Sequence, residues 1–377
     1  MTKARPLIAI AANSSWNIVN FRAGLIRGLR EAGYEAVVIA PEDAVSERRM
    51  AELGVEHVNI RINRSGMNPL ADLQLLHRYR ALFRRLRPAA LLGFTIKPNI
   101  YGAMAAASLG IPAIPNVSGL GTAFIRSGPL QWIVTSLYRR AFRDVPVVFF
   151  QNPDDRQLFV SRRIVDIGRA RILPGSGVDL ERFAPTPPTK GPVTFLLIAR
   201  LLRDKGILEF VHAAHMLRQS LPKARFQLLG PVDEGNRTAI PQAIIERWVN
   251  DGLVEYLGTV DDVRPAIAQA SAVVLPSYRE GLPRSLLEAA AMARPLIANH
   301  VAGCRELVDD GVNGYLCNAG DAAALASAMK QFAQLPDAAR TEMGEASRRK
   351  VQDRFSEQIV VRAYVETLNR VLNRAMN

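Results

Sequence analysis

The chain has 377 residues, 49% hydrophobic and 22% charged, which is enough apolar material for two ordinary domain cores. Its two cysteines, Cys304 and Cys317, supply neither a disulfide framework nor a thiolate metal cage, and fit a reducing cytoplasm. The formal net charge of +13 is lopsided: residues 1–175 carry 24 Lys and Arg against 12 Asp and Glu, whereas residues 176–377 carry 24 against 23. No uncharged apolar run reaches the roughly 18–20 residues that span a bilayer. Met1 to Pro6 lead straight into a strand-like run, without the pattern of a secretory signal.

In chain order, residues 7–12 read as a strand and 20–32 as a helix that closes at Gly33. Strands follow at 36–40, 55–60, 90–94, 113–117 and 147–151. This alternation predicts βαβ units, hence a mostly parallel sheet with helices on both faces. The segment from Pro174 to Pro192 holds Pro185, Pro187, Pro188, Gly175, Gly177 and Gly191, resists regular structure and marks a boundary. A second alternating series has strands at 194–198, 226–229, 254–256, 272–275 and 296–298, and residues 356–373 read as a closing helix. The expected fold class is α/β: two doubly wound, Rossmann-like domains facing a cleft, with bounds 1–173 and 193–355, a linker at 174–192, and a helical segment at 356–377 that packs back on the first domain.

Two strings carry the chemistry. The strand Ala272-Val273-Val274-Leu275 breaks at Pro276-Ser277, and Glu280-Gly281-Leu282-Pro283-Arg284-Ser285-Leu286-Leu287-Glu288 follows. Pro283 suits a first helical turn, so Glu280 stands in the loop ahead of a helix and Glu288 stands inside it. The N–H groups of such a helix start seat phosphate. An ordinary surface helix reads the same way. Upstream, Arg200 closes the strand Val193-Thr194-Phe195-Leu196-Leu197-Ile198-Ala199, and Lys205 precedes a helix beginning near Gly206. Ligands of open α/β sheets bind at the carboxyl ends of strands, where two cations suit a diphosphate. Two solvated loop cations are the alternative.

Together, R-x4-K-G and E-G-x-P-x-S-x-x-E resemble the family-4 retaining glycosyltransferases, whose fold is GT-B. The resemblance covers the chain and is strongest over residues 173–314, with Gly175-Ser176-Gly177-Val178-Asp179, Gly258-Thr259-Val260, Gly303-Cys304-Arg305-Glu306 and Asp310-Gly311-Val312-Asn313-Gly314. It implies that the active site is the cleft and that Arg200 and Lys205 stabilise the departing diphosphate of a nucleotide sugar. Gly281, Leu282, Pro283 and Ser285 form the helix start that adds N–H donors. Glu288 grips the ribose hydroxyls, Val260 passes the base, and Glu280 lies near the sugar ring in an electrostatic role rather than as a nucleophile. No metal is expected. There is no D-x-D string, the pairs Asp154-Asp155, Asp261-Asp262 and Asp309-Asp310 suit caps and solvation, and His212 with His215 lack a third ligand.

The first half carries the acceptor side. After the first strand comes Asn13-Ser14-Ser15-Trp16-Asn17-Ile18-Val19-Asn20-Phe21-Arg22, without the paired glycines common in the family. Asn17, Asn20 and Arg22 reach toward the cleft on this reading, with a helix-capping role for Asn20 equally open. Lys97 and Asn99, in Thr95-Ile96-Lys97-Pro98-Asn99-Ile100-Tyr101-Gly102, suit an anionic ligand. This string and Asn116-Val117-Ser118-Gly119-Leu120-Gly121 resemble a subgroup that extends undecaprenyl-diphosphate-linked sugars. Relatives place a histidine near the second string; here Asn116 or Ser118 takes that task. Gly119 and Gly121 have no third glycine in phase at Phe124, which discounts a nicotinamide site. Basic runs at residues 78–87 and 137–143 suit an anionic membrane surface or a solubilising face, and no nucleic-acid module is present. The implied protein is a cytoplasmic enzyme at the inner face of the membrane. It moves a hexose or N-acetylhexosamine from a UDP-sugar to a lipid-linked saccharide for surface polysaccharide or glycan assembly. A nucleotide-sugar epimerase and a non-catalytic nucleotide-sugar-binding subunit are the alternatives.

Overall fold

A computed structural model of the chain describes residues 5–63, 68–120, 128–188 and 190–376; Gly121 and Phe124, named above, lie outside the described residues. The chain forms two compact units: Met1–Gly177 with Glu357–Asn377, and Val178–Ser356.

The sheet of unit 1 consists of β1 (Leu7–Ala11), β2 (Glu35–Ala40), β3 (Glu56–Asn59), β4 (Ala90–Phe94), β5 (Ala113–Val117), β6 (Val148–Phe150) and β7 (Ala170–Ile172). Their order is β3-β2-β1-β4-β5-β6-β7, and every pairing is parallel. Both faces of this sheet are covered, so its strands read as apolar runs rather than alternating ones. Ile8, Ile10, Val38, Leu92 and Phe94 point into one core, and Ala9, Ala11, Val37, Ile39 and Leu91 into the other.

The helices of unit 1 are α1 (Ser15–Phe21), α2 (Ala23–Glu31), α3 (Ala44–Glu52), α4 (Pro69–Leu86), α5 (Ala103–Ala107), α6 (Pro129–Phe142) and α7 (Pro153–Ser161). The first helix begins earlier than the sequence suggests. Residues read as a loop form α1, which buries Ile18 and Val19, and the chain breaks at Arg22 before α2. Asn20 therefore sits inside a helix and caps nothing. α4 shows its cap plainly: the Asn68 side chain accepts from the N–H groups of Leu70 (3.1 Å) and Ala71 (3.2 Å), with Pro69 in the first turn.

Unit 2 repeats the plan with β8 (Thr194–Ile198), β9 (Arg225–Leu229), β10 (Glu255–Tyr256), β11 (Ala272–Leu275), β12 (Leu296–Asn299) and β13 (Gly314–Cys317), in the order β10-β9-β8-β11-β12-β13. Its helices are α8 (Ile207–Leu217), α9 (Gln242–Asn250), α10 (Arg264–Gln269), α11 (Arg284–Ala291), α12 (Cys304–Leu307), α13 (Ala322–Gln334) and α14 (Asp337–Arg354). The proline-rich stretch read as a linker is fastened to this unit over much of its length. Buried Arg294 donates to the carbonyls of Thr186 (3.0 Å), Pro187 (3.0 Å) and Ala268 (2.8 Å), and Arg348 to those of Leu180 (3.2 Å), Phe183 (3.0 Å) and Ala291 (2.6 Å). Two guanidiniums supply the hydrogen bonds that a segment without regular structure lacks.

The last helix, α15 (Glu357–Met376), belongs to unit 1. Val360, Tyr364, Leu368 and Val371 recur at helical spacing and enter the core beside α2. Two glycines of α2 admit it: a Cβ on Gly24 would lie 1.8 Å from Glu357 Cδ, and one on Gly28 2.1 Å from Val361 Cγ1. Gly28→Leu therefore overpacks this seam, at a cost of about 1–3 kcal/mol. The expected result is a lower thermal transition for unit 1 and earlier proteolysis within residues 357–377, with the transition of unit 2 unchanged. Unaltered protection of that segment would show that α15 does not depend on α2.

Candidate active site

In unit 2, β8 lies between β9 and β11, and the winding of the chain reverses between β8 and β11. The loops leaving these two strands diverge to opposite faces of the sheet, which makes this the switch point where such folds bind ligands. Both conspicuous sequence strings fall there. The first loop covers residues 199–206 and the second 276–283.

Glycines let the loops touch backbone to backbone. Gly206 has φ 73°, and a Cβ on it would stand 2.0 Å from the Pro276 carbonyl oxygen. Gly303 has φ 80°, and its Cβ would stand 2.5 Å from the Gly281 oxygen and 2.8 Å from that of Glu280. No larger residue fits either place without displacing backbone. Hydrogen bonds complete the join. The Asp204 carbonyl accepts from Tyr278 N–H and Ser277 Oγ, both at 3.1 Å, and Asn299 Nδ2 donates to the Ser277 carbonyl at 3.2 Å.

On this frame Lys205 Nζ donates to Glu280 Oε1 at 2.5 Å, with side chains 22% and 12% exposed. α11 starts directly after, with Gly281, Leu282 and Pro283 buried and Ser285 half-buried. The opening N–H groups of a helix have no partner within it. One turn further, Arg284 Nε donates to Glu288 Oε1 at 2.7 Å. Burial pushes the Glu288 carboxyl up from its ordinary value, with Arg284 and then Arg182 opposing that shift and Asp262 adding to it. The loop before α10 thus lies within electrostatic reach of Glu288. There Arg264 Nη2 donates to Asp262 Oδ2 at 2.7 Å and holds that carboxyl below its usual range, while Val260 is exposed.

Arg200 leaves the end of β8 as expected, but its guanidinium bonds Asp233 at 2.9 Å, on the loop after β9, rather than lying beside Lys205. That pair is exposed, at 55% and 35%.

Unit 1 has its own switch point, between β1 and β4. Asn13 N–H donates to Thr95 Oγ1 at 3.1 Å and joins the two loops there. Arg22 is buried, with its guanidinium carbon 4.2 Å from the centre of the Phe94 ring. Lys97 Nζ bonds Asp72 Oδ1 at 2.7 Å in a sheltered pair. Asn17 and Ser118 are half-buried, and Asn20 bonds both the Trp16 carbonyl (2.9 Å) and Arg49 (3.0 Å).

Two candidate acceptor residues are fully buried and hold the fold together. Asn99 donates to the Asn116 carbonyl, and Asn116 Nδ2 donates to Tyr364 Oη on α15, both at 2.8 Å. Neither amide reaches the surface, which corrects their reading as ligand contacts. Sequence reading passed over Trp16, 54% exposed in the first turn of α1 with its ring set edge-on to Phe21 at 5.2 Å. A tryptophan inside a polar string directly after a strand was the available signal. It also passed over Asp72, the partner of Lys97.

Residues 192–334 match the family model for glycosyl transferases group 1, and residues 18–175 that for the glycosyl transferase 4-like domain. The chain is 25% identical over 384 residues to the N,N'-diacetylbacillosaminyl-diphospho-undecaprenol alpha-1,3-N-acetylgalactosaminyltransferase of Campylobacter jejuni, covering 97% of this chain and 99% of that one. It is 31% identical over 194 residues to glycogen synthase of Mycobacterium tuberculosis, a match to 50% of this chain and 45% of the relative. Among solved structures, Anabaena HepE in complex with UDP and glucose is similar at a TM-score of 0.81 and 18% identity, over 97% of this chain and 100% of that one.

The raised Glu288 carboxyl has a consequence for stability. The folded chain holds that proton more firmly than the unfolded chain does. Its contribution is complete below the ordinary value of 4.5 and is lost as pH rises through the folded value. Glu288→Gln does not ionise, so its stability relative to the wild type is expected to rise with pH across that window in urea unfolding. A difference independent of pH would show an unshifted carboxyl.

Proposed function

The chain belongs to the family-4 glycosyltransferases of GT-B fold, each of its two units matching a model of that family, and we propose that it transfers a hexose or N-acetylhexosamine from a UDP-sugar to a lipid-linked saccharide, with retention at the anomeric carbon. The observation that carries the donor side is the sheltered Lys205–Glu280 pair at the β8–β11 switch point, directly ahead of the start of α11. Lys205 and the first N–H groups of α11 receive the leaving diphosphate. Arg200 joins them at little expense, because an exposed ion pair such as that with Asp233 is worth about 0–1 kcal/mol. These groups supply the countercharge for the leaving group, and the reaction as proposed uses no metal ion.

Glu288 accepts from the ribose diol, and Val260 flanks the base. Glu280 sits at the sugar. With one oxygen already engaged by Lys205, its carboxylate is a better electrostatic and positioning group than a nucleophile. The activity of the Campylobacter jejuni relative supports an undecaprenyl-diphosphate-linked acceptor and a role in surface polysaccharide or glycan assembly. On unit 1, Asn17, Asn20, Arg22, Lys97 and Ser118 are the acceptor candidates, at the switch point and its neighbouring strand ends. UDP in the HepE structure supports the nucleotide. No helix among the described residues is long and apolar enough to cross a membrane. The excess of cations in unit 1 favours attachment at the cytoplasmic surface of one.

Lys205→Ala is expected to lower turnover of the UDP-sugar with its acceptor by about 10²–10³-fold, the scale of losing one leaving-group or oxyanion donor, and Glu288→Ala to lower it through the loss of the ribose's acceptor. Circular dichroism should stay that of the wild type. Normal turnover in both variants would overturn the site. Separately, the cognate UDP-sugar at about 100 times its Kd should stabilise the wild type by about 2.7 kcal/mol, read as a raised Tm. Lys205→Ala should lose most of that shift, and an equal shift in both proteins would separate Lys205 from the diphosphate.

A further inference from the structure

Unit 1 holds a cavity of about 490 Å³ beyond the carboxyl ends of β2 and β3, with the first three turns of α4 as one wall. Small-molecule sites span about 300–1,000 Å³. β3 and β2 are the outermost strands on their side of the sheet, so the cavity stands beside the β1–β4 switch point rather than in it. Asn17, Asn20, Arg22, Lys97 and Ser118 do not line it.

Asp72 does line it, although its side chain is only 9% exposed. Lys97 Nζ bonds its Oδ1 at 2.7 Å, and the Tyr101 hydroxyl bonds the same carboxylate. A carboxylate has about four lone-pair sites, so two partners leave it able to accept from a ligand. Lys97 and Tyr101 come from a segment of unusual backbone. Thr95, a β-branched residue, has φ 71°, and Pro98–Gly102 form a π-helical turn. Such conformations cost energy and gather at ligand sites. A pair that only joined α4 to this turn would not need to border a cavity.

Glu42, Arg61 and Arg78 belong to the polar lining, and Ile62 and Leu75 supply apolar surface. Asn59 Nδ2 donates to Glu42 Oε2 at 2.8 Å, and Arg78 Nη1 donates to the Arg61 carbonyl at 3.0 Å. The two strand ends and α4 are thereby tied together around the space.

We propose that this cavity binds a neutral pyranose of the acceptor's saccharide and so selects the acceptor. Asp72 and Glu42 accept from hydroxyls, Arg61 and Arg78 donate to sugar oxygens, and Ile62 and Leu75 meet the C–H face of the ring. Lys97 and Tyr101 hold Asp72 in place for this. Hydroxyls donate and accept at once, which matches a lining of two carboxylates and two guanidiniums. A phosphate matches it less well. The carboxylates repel it, and the N–H groups of Leu70 and Ala71, at the start of α4, already donate to Asn68 Oδ1. The cavity rests on the saccharide acceptor proposed above and deepens that reading.

The test is saturation-transfer NMR of the whole protein with the methyl glycosides of glucose, galactose, N-acetylglucosamine and N-acetylgalactosamine, with inorganic pyrophosphate as competitor. Two variants are compared with the wild type. Asp72→Asn removes the carboxylate, and Gln74→Trp fills the cavity from an exposed position on α4 while leaving Asp72 and Lys97 in place. At least one glycoside is expected to bind the wild type and to resist pyrophosphate. Asp72→Asn should weaken that binding about 10–100-fold, the scale of one hydrogen bond to a charged group, and Gln74→Trp should abolish it with the thermal transition of unit 1 retained. In transfer from a UDP-sugar to an undecaprenyl-diphosphate-linked saccharide, both variants should raise KM for the acceptor and leave KM for the donor unchanged. No glycoside bound by the wild type, equal binding by Gln74→Trp, or displacement by pyrophosphate would each overturn the cavity. Normal transfer with an unaltered acceptor KM in both variants would sink the cavity alone. Glycoside binding that both variants lose, in a protein that transfers no sugar, would uphold the cavity and leave the glycosyltransferase reading to fall by itself.

Discussion

Two loops from the middle of one sheet lie against each other because residue 206 has no side chain. With any Cβ there, the Pro276 carbonyl oxygen would be 2.0 Å away. The contact brings the Asp204 carbonyl under Ser277 and Tyr278, and that join seats Lys205 on Glu280. Gly303 does the same from the next strand, packing under the carbonyls of Glu280 and Gly281. The glutamate is therefore fixed from below by backbone and from the side by a cation. Charges held this way need no reorganisation when a substrate's own charge develops, which is how fixed dipoles and ions speed group transfer.

The same site also contains charge that is not fixed. Lys205–Glu280 is sheltered, whereas Arg200–Asp233 is open to water and screened by salt. The first pair behaves as part of the fold and the second as an exchangeable arm. Glu288 is a third case. Its carboxyl is buried enough to resist ionisation, yet Arg284 stands one turn away to meet the charge when it forms. Burial rather than distance thus separates the open Arg200–Asp233 pair from the two sheltered ones.

Most of the sheet was legible in the sequence because strands covered on both faces are written as apolar runs, such as Val273-Val274-Leu275. β7 and β13 were not read as strands. β7 is Ala-Arg-Ile with two of its three residues exposed, β13 is Gly-Tyr-Leu-Cys, and both stand at a sheet edge where one side lacks a neighbour. α1 escaped because its polar residues hide the two apolar ones that anchor it. At the site, Lys205, Glu280 and Glu288 were legible through spacing around a strand end and a proline-started helix. Asn99 and Asn116 were misread because a polar residue at a strand end looks alike whether it serves a ligand or the fold. The partner that decides the matter, Tyr364, lies 248 residues from Asn116. Local pattern carries no trace of such a bond.

The most direct measurement is a crystal structure of the protein with UDP. The β-phosphate should lie within hydrogen-bond reach of Lys205 Nζ and the start of α11, Arg200 should have turned from Asp233 toward the phosphates, and the ribose hydroxyls should meet Glu288. UDP bound away from the β8–β11 switch point, with Lys205–Glu280 and Arg200–Asp233 undisturbed, would contradict the assignment of this site.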